Sequence, residues 1–240
     1  MKKILIIFTI LVSTVKGLAL AEKLWEIKSS LGYNSFSGNT DSQQLAIDVF
    51  ANRKTNGDEF TVSGNTYYSA ISGQLDAERW YNMVRYAFSF GEKRWFNFYK
   101  VETDHDRFTN IDYRIVPSIG VGYWHSDKPD WKLMGEVGAG YVYTAYTSTS
   151  SVENNGIILV ARVFLEKGVF DSSKITQQVK FYHSLDDINN FRIFSETSFI
   201  NPVNKNISIK FSLVDEYNSQ PAVGAEKNDL RFMTLLTYTY

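Results

Sequence analysis

Apolar and polar side chains alternate along most of the chain after residue 24, and this period of two limits the fold more than any other feature. One example is the run Ile207-Ser208-Ile209-Lys210-Phe211. Successive residues of a β-strand point to opposite faces of its sheet, whereas an amphipathic helix repeats its apolar positions every three or four residues. No convincing helical repeat interrupts the alternation. The sequence therefore predicts an all-β protein.

The alternation divides the chain into about twelve predicted strands of roughly 10–13 residues each. They cover residues 24–36, 42–53, 59–70, 79–90, 94–105, 112–124, 131–146, 155–166, 174–183, 190–200, 206–217 and 228–240. Strands of globular proteins average about 5–6 residues, whereas tilted membrane-spanning strands need about 9–11. The strand length favours a sheet that crosses a membrane.

Short turns and longer polar connections alternate between the predicted strands. Thr55-Asn56-Gly57-Asp58 is typical of the short turns, and the segments 72–77 and 218–227 are examples of the longer connections. Bacterial outer-membrane barrels have short periplasmic turns and longer extracellular loops. We therefore predict an antiparallel, up-and-down transmembrane β-barrel of about 12 strands, with both termini on the periplasmic side.

Charged residues within the predicted strands fall mainly on one face, and the opposite face is largely apolar. In a membrane barrel the apolar face contacts lipid and the charged face lines the lumen, where opposite charges can pair. A barrel of this size is narrower than an open porin, so any pore is predicted to be narrow or closed by side chains. The candidate pore-lining residues are Arg85, Lys100, Glu102, Asp104, Arg114, Lys132, Glu136, Arg162, Glu166, Lys180, Arg192, Glu196, Lys210 and Arg231.

The first 21 residues have the pattern of a secretory signal peptide. Met1-Lys2-Lys3 is positively charged, Ile4–Val12 is apolar, and small residues precede an expected cleavage between Ala21 and Glu22. A membrane-anchoring helix would need about 20 apolar residues, and polar residues interrupt this run too early. We predict an exported protein whose barrel domain is residues 22–240.

Composition excludes several functions. The 240 residues include no Cys, which excludes a thiol nucleophile, a thiolate metal site and a disulfide-linked scaffold. Lys and Arg number 25 against 26 Asp and Glu, a balance that argues against nucleic acid as a partner.

Two segments carry histidine beside residues that could support chemistry. Glu102-Thr103-Asp104-His105-Asp106 could form a metal site, although a hydrated loop mouth with paired charges explains it better. His183-Ser184 could be a base and its nucleophile, but adjacent residues of a strand point to opposite faces. We predict no catalytic residues, no metal and no cofactor.

Several segments, taken in order, resemble the family of salt-induced outer-membrane proteins, which is catalogued as a domain of unknown function. The matching segments are Ser37-Gly38-Asn39-Thr40, Asp106-Arg107-Phe108, Ile111-Asp112-Tyr113-Arg114, Gly120-Val121-Gly122-Tyr123, Glu136-Val137-Gly138-Ala139-Gly140-Tyr141, Asn206-Ile207-Ser208-Ile209-Lys210 and Asp215-Glu216-Tyr217-Asn218-Ser219-Gln220-Pro221. The resemblance implies an outer-membrane location and a link to salt or osmotic stress. It implies no catalytic residues.

The expected surroundings follow from these predictions. A Gram-negative outer-membrane barrel contacts the lipid bilayer and lipopolysaccharide, and the aromatic Tyr240 at the end of the last strand suits delivery to the barrel assembly machinery. We expect a monomer. Two alternatives remain open: a lipid-modifying outer-membrane hydrolase that uses His105 or His183, and a soluble periplasmic β-sandwich or ligand-binding barrel.

Overall fold

A computed structural model describes residues 24–36, 42–91, 94–107, 109–147, 155–222 and 224–240. The predicted signal peptide and its cleavage site between Ala21 and Glu22 lie outside these residues. No helix in the described part of the chain is long and apolar enough to cross a membrane.

The described residues form twelve strands in one closed antiparallel barrel. Each strand pairs with its neighbours in sequence, and β1 pairs with β12 to close the sheet. The prediction of an all-β, up-and-down antiparallel barrel of 12 strands is confirmed. The strands are β1 (Trp25–Phe36), β2 (Ser42–Lys54), β3 (Asp58–Ile71), β4 (Gln74–Phe90), β5 (Trp95–Asp106), β6 (Ile111–Asp127), β7 (Trp131–Tyr146), β8 (Gly156–Val169), β9 (Ser173–Ser184), β10 (Phe191–Pro202), β11 (Ile207–Asn218) and β12 (Asn228–Thr239).

The closing pair β1–β12 shares a short register, from Lys28 opposite Thr239 to Leu31 opposite Leu236. Inside the barrel, the hydroxyl groups of Ser30 and Thr237 lie 2.8 Å apart across this seam. Closure pairs the first and last strands over these four positions, and pairing of backbone polar groups is what allows a sheet to lie within lipid.

The two ends of the barrel differ in their connections. One end, here called the turn end, carries both termini and the connections β2–β3, β4–β5, β6–β7, β8–β9 and β10–β11. The other, the loop end, carries the remaining connections. The predicted long connection at 72–77 is wrong: β3 and β4 join through Ser72-Gly73 alone. These two residues have φ values of 50° and 76°, as a tight hairpin turn requires.

The outer face of the barrel is apolar and exposed. Ile157, Val163 and Leu236 are each more than half exposed. Aromatic rings pack together near both ends, with Trp95 and Tyr123 4.8 Å apart at the turn end. An apolar surface that surrounds a whole barrel is unfavourable in water and suits a lipid bilayer with aromatic residues at its interfaces. The alternative of a soluble sandwich is wrong, since the strands form one closed sheet.

Part of the lumen is filled by an apolar cluster on β4 to β8. Phe96 and Phe98 point inward and are 2% and 0% exposed. Glycines on the neighbouring strand make room for them, because a Cβ atom added to Gly122 would lie 2.2 Å from the Phe96 ring. Tyr67 also lines the lumen.

Candidate functional site

The lumen contains one large cavity of about 790 Å³. Its wall includes Lys54 and Asp127 at the turn end and Arg79 and Asp229 at the loop end, so the cavity extends along the barrel. Fifteen basic and twelve acidic residues of the described chain line it.

The structure places the sequence-predicted lumen residues around this cavity. Thirteen of the fourteen line its wall, and the other, Glu136, is buried beneath it. Alternation brought these residues to one face because every strand keeps the same side inward. Their role in conduction stays a prediction.

A group of five side chains crosses the lumen at mid-height and is here called the mid-lumen cluster. The carboxylate of Glu102 lies 2.9 Å from the Lys100 ammonium and 3.0 Å from that of Lys180. The hydroxyls of Tyr81 and Tyr182 donate hydrogen bonds of 2.6 and 2.9 Å to the same carboxylate. Glu102 is on β5 and Lys180 on β9, four strands away, so the cluster bridges opposite walls.

Glu136 anchors a second group closer to the turn end. Its carboxylate lies 2.6 Å from the Arg85 guanidinium and 3.4 Å from that of Arg162. Arg85 also reaches Glu59 at 3.1 Å and lies 5.2 Å from the centre of the Phe96 ring. These contacts join the charged groups to the apolar cluster and fill the same side of the lumen.

Arg79 forms the centre of a third group, here called the loop-end cluster. Its guanidinium lies 2.9 Å from Asp106, 2.6 Å from Glu216 and 2.5 Å from Asp229. Arg231 binds the last two carboxylates at 2.5 Å each. Arg79 is on β4, whereas Glu216 and Asp229 are on β11 and β12. The cluster therefore spans the lumen near the loop end.

Small hydroxyl side chains line the wall on the opposite side from the apolar cluster. Ser30 and Thr237 face the cavity from β1 and β12, and Ser198 faces it from β10, where its hydroxyl lies 2.7 Å from that of Ser212. These side chains are short, and each of the four is 7% exposed or less. This side of the lumen is therefore lined by small buried hydroxyls, in contrast to the aromatic side chains on β4 to β8.

One charged group interrupts this hydroxyl-lined side. The ammonium of Lys210 lies 3.0 Å from Glu196 and 3.4 Å from Asp48, which reaches it from β2. All three side chains are about one-quarter exposed or less. The group therefore links β10 and β11 to β2 across this side of the lumen.

The turn end has more exposed ion pairs. Glu166 lies 3.1 Å from Lys132 and 3.2 Å from Lys174. Lys54 on β2 reaches Asp127 on β6 at 2.5 Å across the opening. The lysines here are one-third to nearly one-half exposed. Water screens such pairs, so they stabilise the turn end of the lumen less than the buried pairs stabilise its middle.

The carboxylates around His105 have other partners. Its Nδ1 atom lies 2.6 Å from the carbonyl oxygen of Asp112, and its ring stacks on Trp80. Asp104 forms a bidentate pair with Arg114, and the other two carboxylates of the segment belong to the clusters above. The described residues contain no group of three or more His, Asp or Glu side chains placed to hold a metal ion.

His183 and Ser184 are engaged separately. The Nε2 atom of His183 lies 3.1 Å from the carbonyl oxygen of Ile188. The Ser184 hydroxyl accepts hydrogen bonds from the backbone amides of Asp186 and Asp187, which places it in the turn after β9. This geometry lacks the hydrogen bond by which a base activates a nucleophile. It gives the hydrolase alternative no support.

The loop after β9 is attached to the loop after β11. Gln220 donates a 2.7 Å hydrogen bond to the Asp187 carboxylate, and the backbone amide of Asn189 donates another of 2.9 Å. The amide of Asn189 and then the side chain of Gln220 lower the pKa of Asp187. An ionised Asp187 therefore helps to fix the loops beside the lumen entrance.

A closed barrel with an apolar outer face and a charged lumen defines a transmembrane β-barrel of the outer-membrane type. The chain belongs to the family described as "Protein of unknown function, DUF481", whose sequence model matches residues 29–240. This match confirms the resemblance to a family of unknown function, and the link to salt stress stays a prediction.

Similar proteins include YdiY of Escherichia coli (strain K12), an uncharacterized protein. It is 24% identical over 224 residues, which cover 90% of this chain and 83% of YdiY. Among solved structures, the KdgM porin has a TM-score of 0.47 and the NanC porin one of 0.49. Each is 10% identical, and each comparison covers 90% of this chain and 99% of the porin.

Proposed function

We propose that the protein is a Gram-negative outer-membrane barrel that conducts small hydrophilic solutes through its lumen. The observation that carries this proposal is one cavity, lined by charged and hydroxyl residues from both ends, inside a barrel whose outer face is apolar. A water-filled polar path through an apolar exterior is the arrangement by which barrels pass solutes across lipid.

The two clusters that cross the lumen support a narrow passage. The group of Lys210, Glu196 and Asp48 narrows the lumen further on the side lined by small hydroxyl residues. By analogy with other outer-membrane barrels, the turn end faces the periplasm and the loop end faces outward. We further propose that the barrel is a monomer in the bilayer and that it reaches the membrane through the barrel assembly machinery. It then contacts lipopolysaccharide, and it serves the envelope under salt or osmotic stress.

The protein is expected to fractionate with the outer membrane and to conduct ions in planar bilayers. Its single-channel conductance should be lower than that of open 16–18-stranded porins, because a barrel of 12 strands is narrower and partly filled. Recovery in osmotic-shock fluid would contradict the membrane location. Complete electrical silence of correctly folded protein would contradict conduction but not the barrel.

Removing the Arg79 side chain is expected to raise the conductance severalfold. Arg79→Ala deletes the guanidinium that joins Asp106 to Glu216 and Asp229, and Asp106 then repels these two carboxylates, which Arg231 still holds together. Single-channel recordings at low and high salt measure the change. Arg107→Ala is the matched control, because Arg107 is an exposed loop-end arginine that pairs with Glu78 and does not line the cavity. Equal conductance in both variants would show that the loop-end cluster does not limit flow.

A further inference from the structure

Charges are unequally divided between the lumen and the remainder of the protein. The cavity wall has fifteen basic and twelve acidic residues. Glu136, buried beneath the wall, is a thirteenth acidic residue inside the lumen, and the other described charged residues are nine acidic and five basic. The whole chain has a net charge of −1, so the excess of positive charge belongs to the lumen specifically. A passage with this excess attracts anions and repels cations.

Arg192 differs from the other arginines on the cavity wall. Each of those has a carboxylate within ion-pair distance, whereas Arg192 has none among the described residues. The two carboxylates whose charges reach it, Asp104 and Glu216, are held by other arginines. The guanidinium of Arg192 instead lies 4.7 Å from the centre of the Tyr182 ring. It therefore keeps hydrogen-bond donors available at the wall.

The position of Arg192 suits a site that solutes meet early. It is the second residue of β10, close to the loop end. The Tyr182 ring that it covers is fixed, because the hydroxyl of Tyr182 is bonded to Glu102 in the mid-lumen cluster. A planar guanidinium supported by a fixed ring is oriented to bind two oxygens of one carboxylate or phosphate group.

We infer that Arg192 is a binding site for the carboxylate or phosphate group of small anionic solutes that enter the lumen from the loop end. This inference rests on the proposed conduction and names the class of solute that it favours. The general excess of lumen cations draws anions toward the entrance, and Arg192 holds them by direct hydrogen bonds.

The test compares three variants in planar bilayers. A tenfold KCl gradient measures charge selectivity through the reversal potential, and succinate or inorganic phosphate added at the loop end measures block of the current. The wild type is expected to prefer chloride and to be blocked by both probes. Arg192→Gln should weaken block by about tenfold, the loss expected for charge-assisted hydrogen bonds. Arg192→Lys should keep the selectivity but lose most of the block.

Lys174→Gln is the matched control. It removes one positive charge from the cavity wall, as Arg192→Gln does, but at the turn end, where Lys174 is paired with Glu166. Equal weakening of block in the two variants would overturn the site, and so would a wild type that neither probe blocks. A barrel that conducts without preferring chloride would refute the anion preference while leaving conduction intact. If no current is recorded in bilayers, calorimetric titration of the folded, detergent-solubilised protein with each probe tests binding at Arg192 independently of conduction.

Discussion

Replacing Glu102 by Gln is expected to destabilise the barrel by about 3–5 kcal/mol, the loss measured when one partner of a buried ion pair is removed. Gln keeps the shape and can still accept the two tyrosine hydrogen bonds, but it has no charge. The ammonium groups of Lys100 and Lys180, whose side chains are 3% and 11% exposed, then remain buried beside each other without a carboxylate. Urea titration of the barrel in lipid vesicles, followed by its mobility on unheated gels, measures the loss.

Glu166→Gln is a close control for this change. Glu166 also lies between two lysines of the lumen, at 3.1 and 3.2 Å, but Lys132 and Lys174 are 33% and 44% exposed. Water can solvate these ammonium groups when the carboxylate is lost, so the expected cost is below about 1 kcal/mol. A small effect of Glu102→Gln, equal to that of the control, would mean that water reaches the mid-lumen cluster freely.

The strands were predictable from the sequence because one physical constraint acts on every residue within the bilayer. Each strand has lipid on one side and a polar lumen on the other, and this produces the period of two. The constraint ends where a strand leaves the membrane, and β4 shows the consequence. Three of its first five residues, Gln74–Glu78, are polar, and the sequence assigned four of the five to the connection 72–77.

The face that each charged residue occupies was also predictable, but its partners were not. Alternation shows that Glu102 and Lys180 point inward, and it contains no information on strands that meet across the lumen. Arg79 was not among the candidate pore-lining residues, because it is the first residue of its predicted strand, 79–90. Inward aromatic residues such as Phe98 were missed because alternation within one strand does not show how wide the lumen is. It therefore does not show whether the lumen can enclose an aromatic ring.

The lumen is asymmetric because of the residues on β5, β6 and β7. The aromatic rings of Phe96 and Phe98 on β5 fill the interior opposite Gly122 and Gly120 of β6. The filled side joins the Glu136 group, because Arg85 lies against Phe96 and pairs with Glu136. The shape of the lumen thus depends on close packing around the glycines.

Replacing Gly120 by Ala is expected to cost about 3 kcal/mol, the upper part of the usual range for overpacking. A Cβ atom at residue 120 would lie 2.3 Å from the carbonyl oxygen of Val137 and 2.6 Å from the Cα atom of Gly138. Both are backbone atoms of β7, so β6 and β7 would have to move apart, and the ring of Phe98 at 2.8 Å would have to shift as well. The urea titration in vesicles measures this change.

Gly135→Ala separates this packing effect from the general effect of replacing a glycine in a strand. Gly135 lies on β7, opposite Tyr123 of β6, and a Cβ atom there would meet nothing within 4 Å. The same substitution should therefore be neutral or slightly stabilising, because alanine loses less conformational freedom on folding than glycine. If Gly120→Ala were equally well tolerated, β6 and β7 would be able to separate at little cost. The packing on the filled side of the lumen would then be deformable, and it would not fix the shape of the lumen.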